Sequence, residues 1–134
     1  MVGILVCTHS SLARGFKDAV EMVMGLQESF ATIGFFEGED MLSLNKKITN
    51  QINEMDTESN IIFTDLFGAS PSNAAAMSLM EINGAVITGV NFPMLLESLV
   101  YRNQTSNLDE LLTYIVENGK DSIKFITKEM VTNK

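Results

Sequence analysis

His9 is the only histidine in this chain of 134 residues, and it follows an apolar run, Val2-Gly3-Ile4-Leu5-Val6-Cys7. An imidazole at the end of a buried strand can serve as a base or as a nucleophile near neutral pH. A carboxylate that accepts from one ring N–H would fix its tautomer and leave the other nitrogen free to attack. Asp65 is the candidate, because it follows a second nearly apolar run, Asn60-Ile61-Ile62-Phe63-Thr64. Five residues later, Ser70-Pro71 reads as a helix N-cap with proline at the first helical position. Free N–H groups at such a helix start bind anions, phosphate above all. The hydroxyls of Ser70, Ser72, Thr8 and Ser10 extend that phosphate cradle. Nucleophile, orienting carboxylate and cradle together point to phosphoryl transfer through a phosphohistidine.

Each part has a plainer use. Asp65 can cap a turn, and Ser70-Pro71 can simply begin a helix. Asn91 and Pro93 read as another helix start, although their loop borders the same sheet edge as His9. Phe67, in the turn after Asp65, is either a partner contact or a partly buried lid. Cys7 lies two residues before His9, so a thiol nucleophile has to be weighed. Positions two apart on a strand share a face, but Cys7 sits well back along it, and buried cysteine behaves as a small hydrophobe. The nine methionines read as core filler.

The elements that position these groups follow from apolar spacing. Val2 to Val6 reads as a strand. Leu12, Phe16, Ala19 or Val20, and Val23 share one helical face that Gly25 closes. Ser29 to Phe36 reads as a second strand. Met41, Leu44, Ile48, Ile52 and Met55 mark a helix capped by Asp40. Asn60 to Thr64 is a third strand and Ala74 to Met80 continues a third helix. Gly84 to Thr88 is a fourth strand. A helix runs from Phe92 through Tyr101, and another from Leu108 to Asn118, closed by Gly119. Ser122 to Thr127 alternates and reads as a short last strand, and the polar tail from Lys128 is expected to fray.

Strands alternating with helices predict an α/β fold, a doubly wound parallel sheet of order 2-1-3-4 with helices on both faces. Strands 1 and 3 then lie side by side, and the crevice at their C-terminal ends is the topological switch point. That order brings His9 and Asp65 together. No repeat, linker or low-complexity tract interrupts residues 1–134, so one domain is expected.

Composition narrows the function. Hydrophobic residues make up 46% and charged residues 19%, a globular balance. The net charge of −8 argues against nucleic acid or an anionic membrane as partner. No run is long enough to span a bilayer, and no signal peptide is evident, so a cytoplasmic protein is expected. One cysteine fits a reducing compartment. One histidine and one cysteine make a zinc site implausible, and no Walker A loop or dinucleotide fingerprint is present. No metal and no cofactor is expected.

Three segments together resemble a known family. They are Val6-Cys7-Thr8-His9-Ser10, then Asp65-Leu66-Phe67-Gly68-Ala69-Ser70-Pro71-Ser72-Asn73-Ala74-Ala75, then Gly89-Val90-Asn91-Phe92-Pro93-Met94-Leu95. In order and spacing they are similar to the IIA domain of the mannose class (mannose, fructose, sorbose) of the bacterial phosphoenolpyruvate-dependent sugar phosphotransferase system. The resemblance implies that His9 accepts a phosphoryl group from phospho-HPr and passes it to a histidine on a cognate IIB protein. Asp65 matches the paired aspartate, and Ser70 matches the serine near the phosphoryl group. Membrane subunits IIC and IID would import the sugar while IIB, expected here to be a separate protein, would phosphorylate it. Phosphorylation at Nε2 is implied, as is a cytoplasmic homodimer that exchanges Ser122 to Thr127 as an antiparallel strand. This chain has Ser10 where the family often has glycine, and Leu66-Phe67-Gly68-Ala69 where Thr-Trp-Gly-Gly is common. Two other readings stand beside it. One is the phosphocarrier subunit of a phosphoenolpyruvate-dependent dihydroxyacetone kinase, against which the Gly-Ala-Ser-Pro-Ser-Asn run argues. The other is a regulatory module that is phosphorylated to signal.

Overall fold

A computed structural model describes residues 1–133. Four strands, β1 (Val2–His9), β2 (Phe30–Phe35), β3 (Ser59–Thr64) and β4 (Gly84–Ile87), form one parallel sheet in the order β2-β1-β3-β4. The helices are α1 (Leu12–Met24), α2 (Met41–Met55), α3 (Ser70–Ser78), α4 (Phe92–Tyr101), α5 (Leu108–Asp121) and α6 (Lys128–Thr132). The central strands are apolar along nearly their whole length because helices cover both of their faces. Ile4, Val6, Ile61, Phe63 and Ile87 pack against α1, α4 and α5. Leu5, Cys7 and Ile62 pack against Leu44, Ile48 and Ile52 of α2 and Ala74 and Ala75 of α3. The expected doubly wound order and two helical layers are what the chain adopts.

Several expectations need correction. β1 runs three residues past Val6, because its register with β2 pairs Thr8 with Gly34 and His9 with Phe35. His9 is therefore the last residue of a paired strand rather than a residue beyond its end. On α1 the buried face is Ala13 and Val20 with Phe16 and Met24, while Leu12 and Val23 face solvent. The helix phase is rotated from the one Leu12 suggested.

Gly119 does not close α5. It is a buried residue inside the helix, which continues to Asp121. A Cβ there would lie 2.5 Å from Met94 Cε and 3.1 Å from Met94 Cβ. The glycine allows α5 to approach α4, a packing requirement that local capping rules do not contain. Gly119→Leu is expected to lower stability by about 1–3 kcal/mol through overpacking, read as a fall in the urea midpoint at unchanged slope. An unaltered midpoint would refute this account.

The last expected strand is absent from the isolated chain. Residues 123–127 belong to no helix or strand, and Ile123, Phe125 and Ile126 are each at least 75% exposed. The tail does not simply fray, since Thr127 caps α6 by accepting from the Met130 N–H at 3.2 Å.

Candidate functional site

The parallel register carries β1 and β3 to the same edge of the sheet. There His9 Nδ1 lies 2.9 Å from Asp65 Oδ2. The carboxylate can only accept, so Nδ1 carries the proton and Nε2 keeps its lone pair. The same Oδ2 accepts from the His9 backbone N–H at 3.1 Å. One oxygen thus fixes both the ring and the main chain of the histidine. Phe35, next to His9 on β2, meets the imidazole edge-on, with ring centroids 6.2 Å apart at 80°. The imidazole remains about half exposed, its side chain 45% accessible.

Burial works to raise the Asp65 carboxyl, yet the hydrogen bonds from the His9 ring and backbone outweigh it and hold it below the ordinary carboxylate range. Its other oxygen, Oδ1, is buried and has no partner among the described residues. The Cys7 thiol is pushed up to about 12, first by burial and then by the negative charge of Asp65. A thiol held protonated in the core is no nucleophile, in keeping with its reading as a small hydrophobe.

The hydroxyls divide into two groups. Thr8 is fully buried, donates to the His9 carbonyl at 3.1 Å and accepts from the Ala13 N–H at 2.7 Å. It caps α1 from three residues upstream of Ser11, whose own side chain makes no cap bond. Ser72 is buried and donates to the Leu66 carbonyl at 2.6 Å, while Thr64 Oγ1 lies 2.6 Å from its oxygen. Both hydroxyls are spent on shaping the loops, which removes the ground for including them in a phosphate cradle. Ser10 and Ser70 lie nearer the surface. Ser10 holds the left-handed φ of 53° that favours glycine, and its N–H donates to the Phe35 carbonyl at 2.7 Å. This is the backbone reason a glycine would be at home there.

Ser70 is not the cap of α3. Ala69 holds the cap position in extended conformation and accepts from the Asn73 N–H at 2.9 Å, so Ser70 is the first helical residue. Pro71 follows and gives up only an N–H that the first turn leaves unpaired anyway. The N–H groups and the Ser70 hydroxyl of this turn begin five residues after Asp65, at the same sheet edge.

Asn91 caps α4 by accepting from the Met94 N–H at 3.0 Å and donates to the Gly119 carbonyl at 3.0 Å. Its side chain is committed to structure. Pro93, in the first turn of α4, is exposed. Phe67 is 84% exposed and Leu66 beside it 58%, so the turn after Asp65 is no lid.

A cavity of about 650 Å³ borders the imidazole, lined by His9, Ser10, Phe35, Phe36, Glu37 and Glu39. Sequence reasoning missed this wall. The signal was present in the strand order, since β2 beside β1 must end at the same edge. Gly34 lets the wall close up, for a Cβ there would strike the Ser10 carbonyl oxygen and come within 2.7 Å of the Phe36 ring. Glu39 accepts from the Phe36 N–H at 2.8 Å and pairs with Lys47, which ties the loop to α2.

Fold and site thus define a doubly wound α/β protein that presents an oriented, half-exposed histidine at its switch point. A family model described as the PTS system fructose IIA component matches residues 3–116. The sorbose-specific EIIA component of Lacticaseibacillus casei is 34% identical over 131 residues, 97% of this chain and 94% of that protein. The mannose-specific EIIAB component of Escherichia coli K12 is 34% identical over 132 residues, 97% of this chain but only 41% of that protein, so the chain spans about two fifths of its length. The PTS IIA protein associated with the fucose utilization operon from Streptococcus pneumoniae superposes with a TM-score of 0.80 at 30% identity, covering 98% of this chain and all of that one. The chain belongs to the mannose/fructose/sorbose EIIA family of the phosphotransferase system, and it is a phosphotransferase component of that class. None of its helices among the described residues is long and apolar enough to cross a membrane.

Proposed function

We propose that this protein is a histidine phosphocarrier that takes a phosphoryl group from phospho-HPr and gives it to a cognate IIB protein. The observation that carries the reading is the Nδ1–Asp65 contact of 2.9 Å, which leaves Nε2 as the free nucleophile. In the first transfer, the Nε2 lone pair forms a bond to phosphorus as the bond between phosphorus and the donor breaks. The electron pair of that bond leaves with the donor. The ring gains positive charge, which the Asp65 carboxylate offsets. In the second transfer the acceptor attacks phosphorus, and the electron pair of the N–P bond returns to Nε2. Ser70 and the first turn of α3 supply donors for the phosphoryl oxygens. The exposed Leu66 and Phe67 give the site an apolar rim suited to protein partners rather than to a sugar. The sugar would meet IIB and the membrane subunits IIC and IID, so its identity is not written in this chain.

The test is incubation with phosphoenolpyruvate, enzyme I and HPr. One phosphate per chain, acid-labile and base-stable, is expected. A folded wild-type protein that takes up no phosphate would overturn the reading.

A homodimer built by strand exchange belongs to the same proposal. Residues 123–127 alternate, belong to no helix or strand, and expose Ile123, Phe125 and Ile126, while β4 is an edge strand with nothing paired beyond it among the described residues. A bare edge next to an unpaired apolar segment is the situation that strand exchange relieves. Truncation after Ser122 is expected to give a monomer by light scattering; a stable truncated dimer would contradict the exchange.

A further inference from the structure

The outer side of α1 is apolar where a surface helix is ordinarily polar. At about 3.6 residues per turn, Met22, Gly15, Ala19, Leu12 and Val23 fall within an arc of about 100°. That arc lies beside the face that Ala13, Phe16 and Val20 turn to the core. Leu12, Met22 and Val23 are exposed, and Ala19 is half-buried. The charged residues keep to the opposite arc, where Arg14 pairs with Asp18 at 3.0 Å and Lys17 with Glu21 at 3.4 Å. Gly15 opens a notch in the apolar arc, since a Cβ there would meet nothing within 4 Å. A contiguous apolar surface that the fold leaves uncovered marks a place of interaction.

Place and charge say what covers it. His9 ends β1 and Leu12 begins α1, so the arc starts at the rim of the histidine site. A protein that reaches Nε2 through an interface of ordinary size covers about 800 Å² of this chain, a disc of radius about 16 Å. At about 1.5 Å per residue, Gly15 lies about 5 Å along the helix from Leu12 and Ala19 about 10 Å. Leu26 is past the far end of the helix. Such a disc takes in the notch and leaves out Leu26. The cavity beside the imidazole is lined by Glu37 and Glu39 and by no lysine or arginine. With Asp65 at the ring and a net charge of −8 on the chain, a donor whose phosphoryl group carries about two negative charges is repelled on approach. Apolar contact supplies attraction without regard to sign. An acceptor arrives without that group and needs the contact less, and a second copy of this chain brings a further −8.

We infer that the apolar arc of α1 around Gly15 is the docking face for the phosphorylated donor protein, which seats an apolar side chain in the notch between Leu12 and Ala19. The inference rests on the phosphocarrier reading and deepens it, naming a surface beyond the histidine and the rim residues Leu66 and Phe67. The face binds and does not react. Its loss is a loss of affinity for the donor, with the chemistry at Nε2 intact.

Gly15→Gln in the full-length chain tests it. Glutamine is a good helix former and its Cβ meets open space, so folding is not at stake. Its neutral amide fills the notch and lies unpaired under the donor, with no change in net charge. KM for phospho-HPr is expected to rise at least about tenfold at unchanged kcat. Leu26→Gln makes the same kind of change outside the disc and should leave KM at the wild-type value. Phosphoramidate serves as a small donor that needs no docking. Nε2 bonds to phosphorus, the P–N bond breaks, and its electron pair leaves with ammonia. Labelling by phosphoramidate should be equal in wild type and both variants. A wild-type KM in Gly15→Gln, or an equal rise in Leu26→Gln, would overturn the docking face alone. Slower phosphoramidate labelling of Gly15→Gln would overturn it too, because the site itself would then be damaged. Self-association of the chain that Gly15→Gln abolishes would give the face to a second copy, against the inference. A wild type that takes phosphate from neither donor would overturn the phosphocarrier reading, and the docking face with it.

Discussion

Replacement of His9 by alanine is expected to abolish phosphoryl uptake, a loss of at least about a thousandfold, as when the sole nucleophile of a covalent mechanism is removed. No second histidine exists to take over, and the Cys7 thiol, buried and held protonated, cannot substitute. The variant should stay folded. The histidine side chain is half exposed, and Asp65 Oδ2 keeps its bond from the backbone N–H of residue 9. One lost surface hydrogen bond costs about 1 kcal/mol. Wild type and variant are compared by labelling with phosphoenolpyruvate, enzyme I and HPr, with circular dichroism as the folding control. Labelling of His9→Ala at the wild-type rate would remove the nucleophile from its role.

Asp65→Asn is the second large effect, and the geometry defines what it probes. With its amide nitrogen toward the ring, the asparagine would force Nδ1 to accept and move the proton to Nε2, the wrong tautomer for attack. With its oxygen toward the ring, both His9 bonds survive, but an NH₂ then occupies the buried place where Oδ1 now has no partner. In that arrangement the charge opposite the phosphorylated ring is gone. Either orientation is expected to slow transfer by about 10²–10⁴-fold. Single-turnover rates measure it, and a rate within a few-fold of wild type would show that Asp65 neither orients nor stabilises the ring.

The same pair predicts a pH dependence. The carboxyl of folded Asp65 sits below its ordinary value of 3.8. Its contribution to stability is therefore fully present above the unfolded value and is lost as pH falls from there through the lower native one. Wild type and Asp65→Asn should differ in stability at neutral pH and converge in strong acid. Denaturant midpoints measured across that range check the sign.

Much of the fold was legible because its determinants are local. The apolar repeat of Met41 to Met55 and the caps Asp40 and Asn91 mark α2 and α4 to the residue, since periodicity and capping act within a few positions. Other boundaries were set by contacts from elsewhere. β1 extends to His9 because β2 pairs with it to the end, although the apolar run stops before Thr8. Gly119 looks like a helix stop, yet the need for close approach to Met94 keeps it inside α5. Thr8 and Ser72 were expected at a phosphate, and burial instead turned their hydroxyls inward to the chain.

The sequence alone determined the chemistry on offer, one histidine and one aspartate each ending a buried strand, and the alternation that makes the sheet parallel. Only the tertiary structure decided which ring nitrogen is free, that a single carboxylate oxygen holds both ring and backbone, and that Phe35 and Phe36 wall the site. The reason is distance along the chain. Fifty-six residues separate His9 from Asp65, and a hydrogen bond across such a gap depends on strand order, register and side-chain direction together, none of which is a property of neighbouring residues.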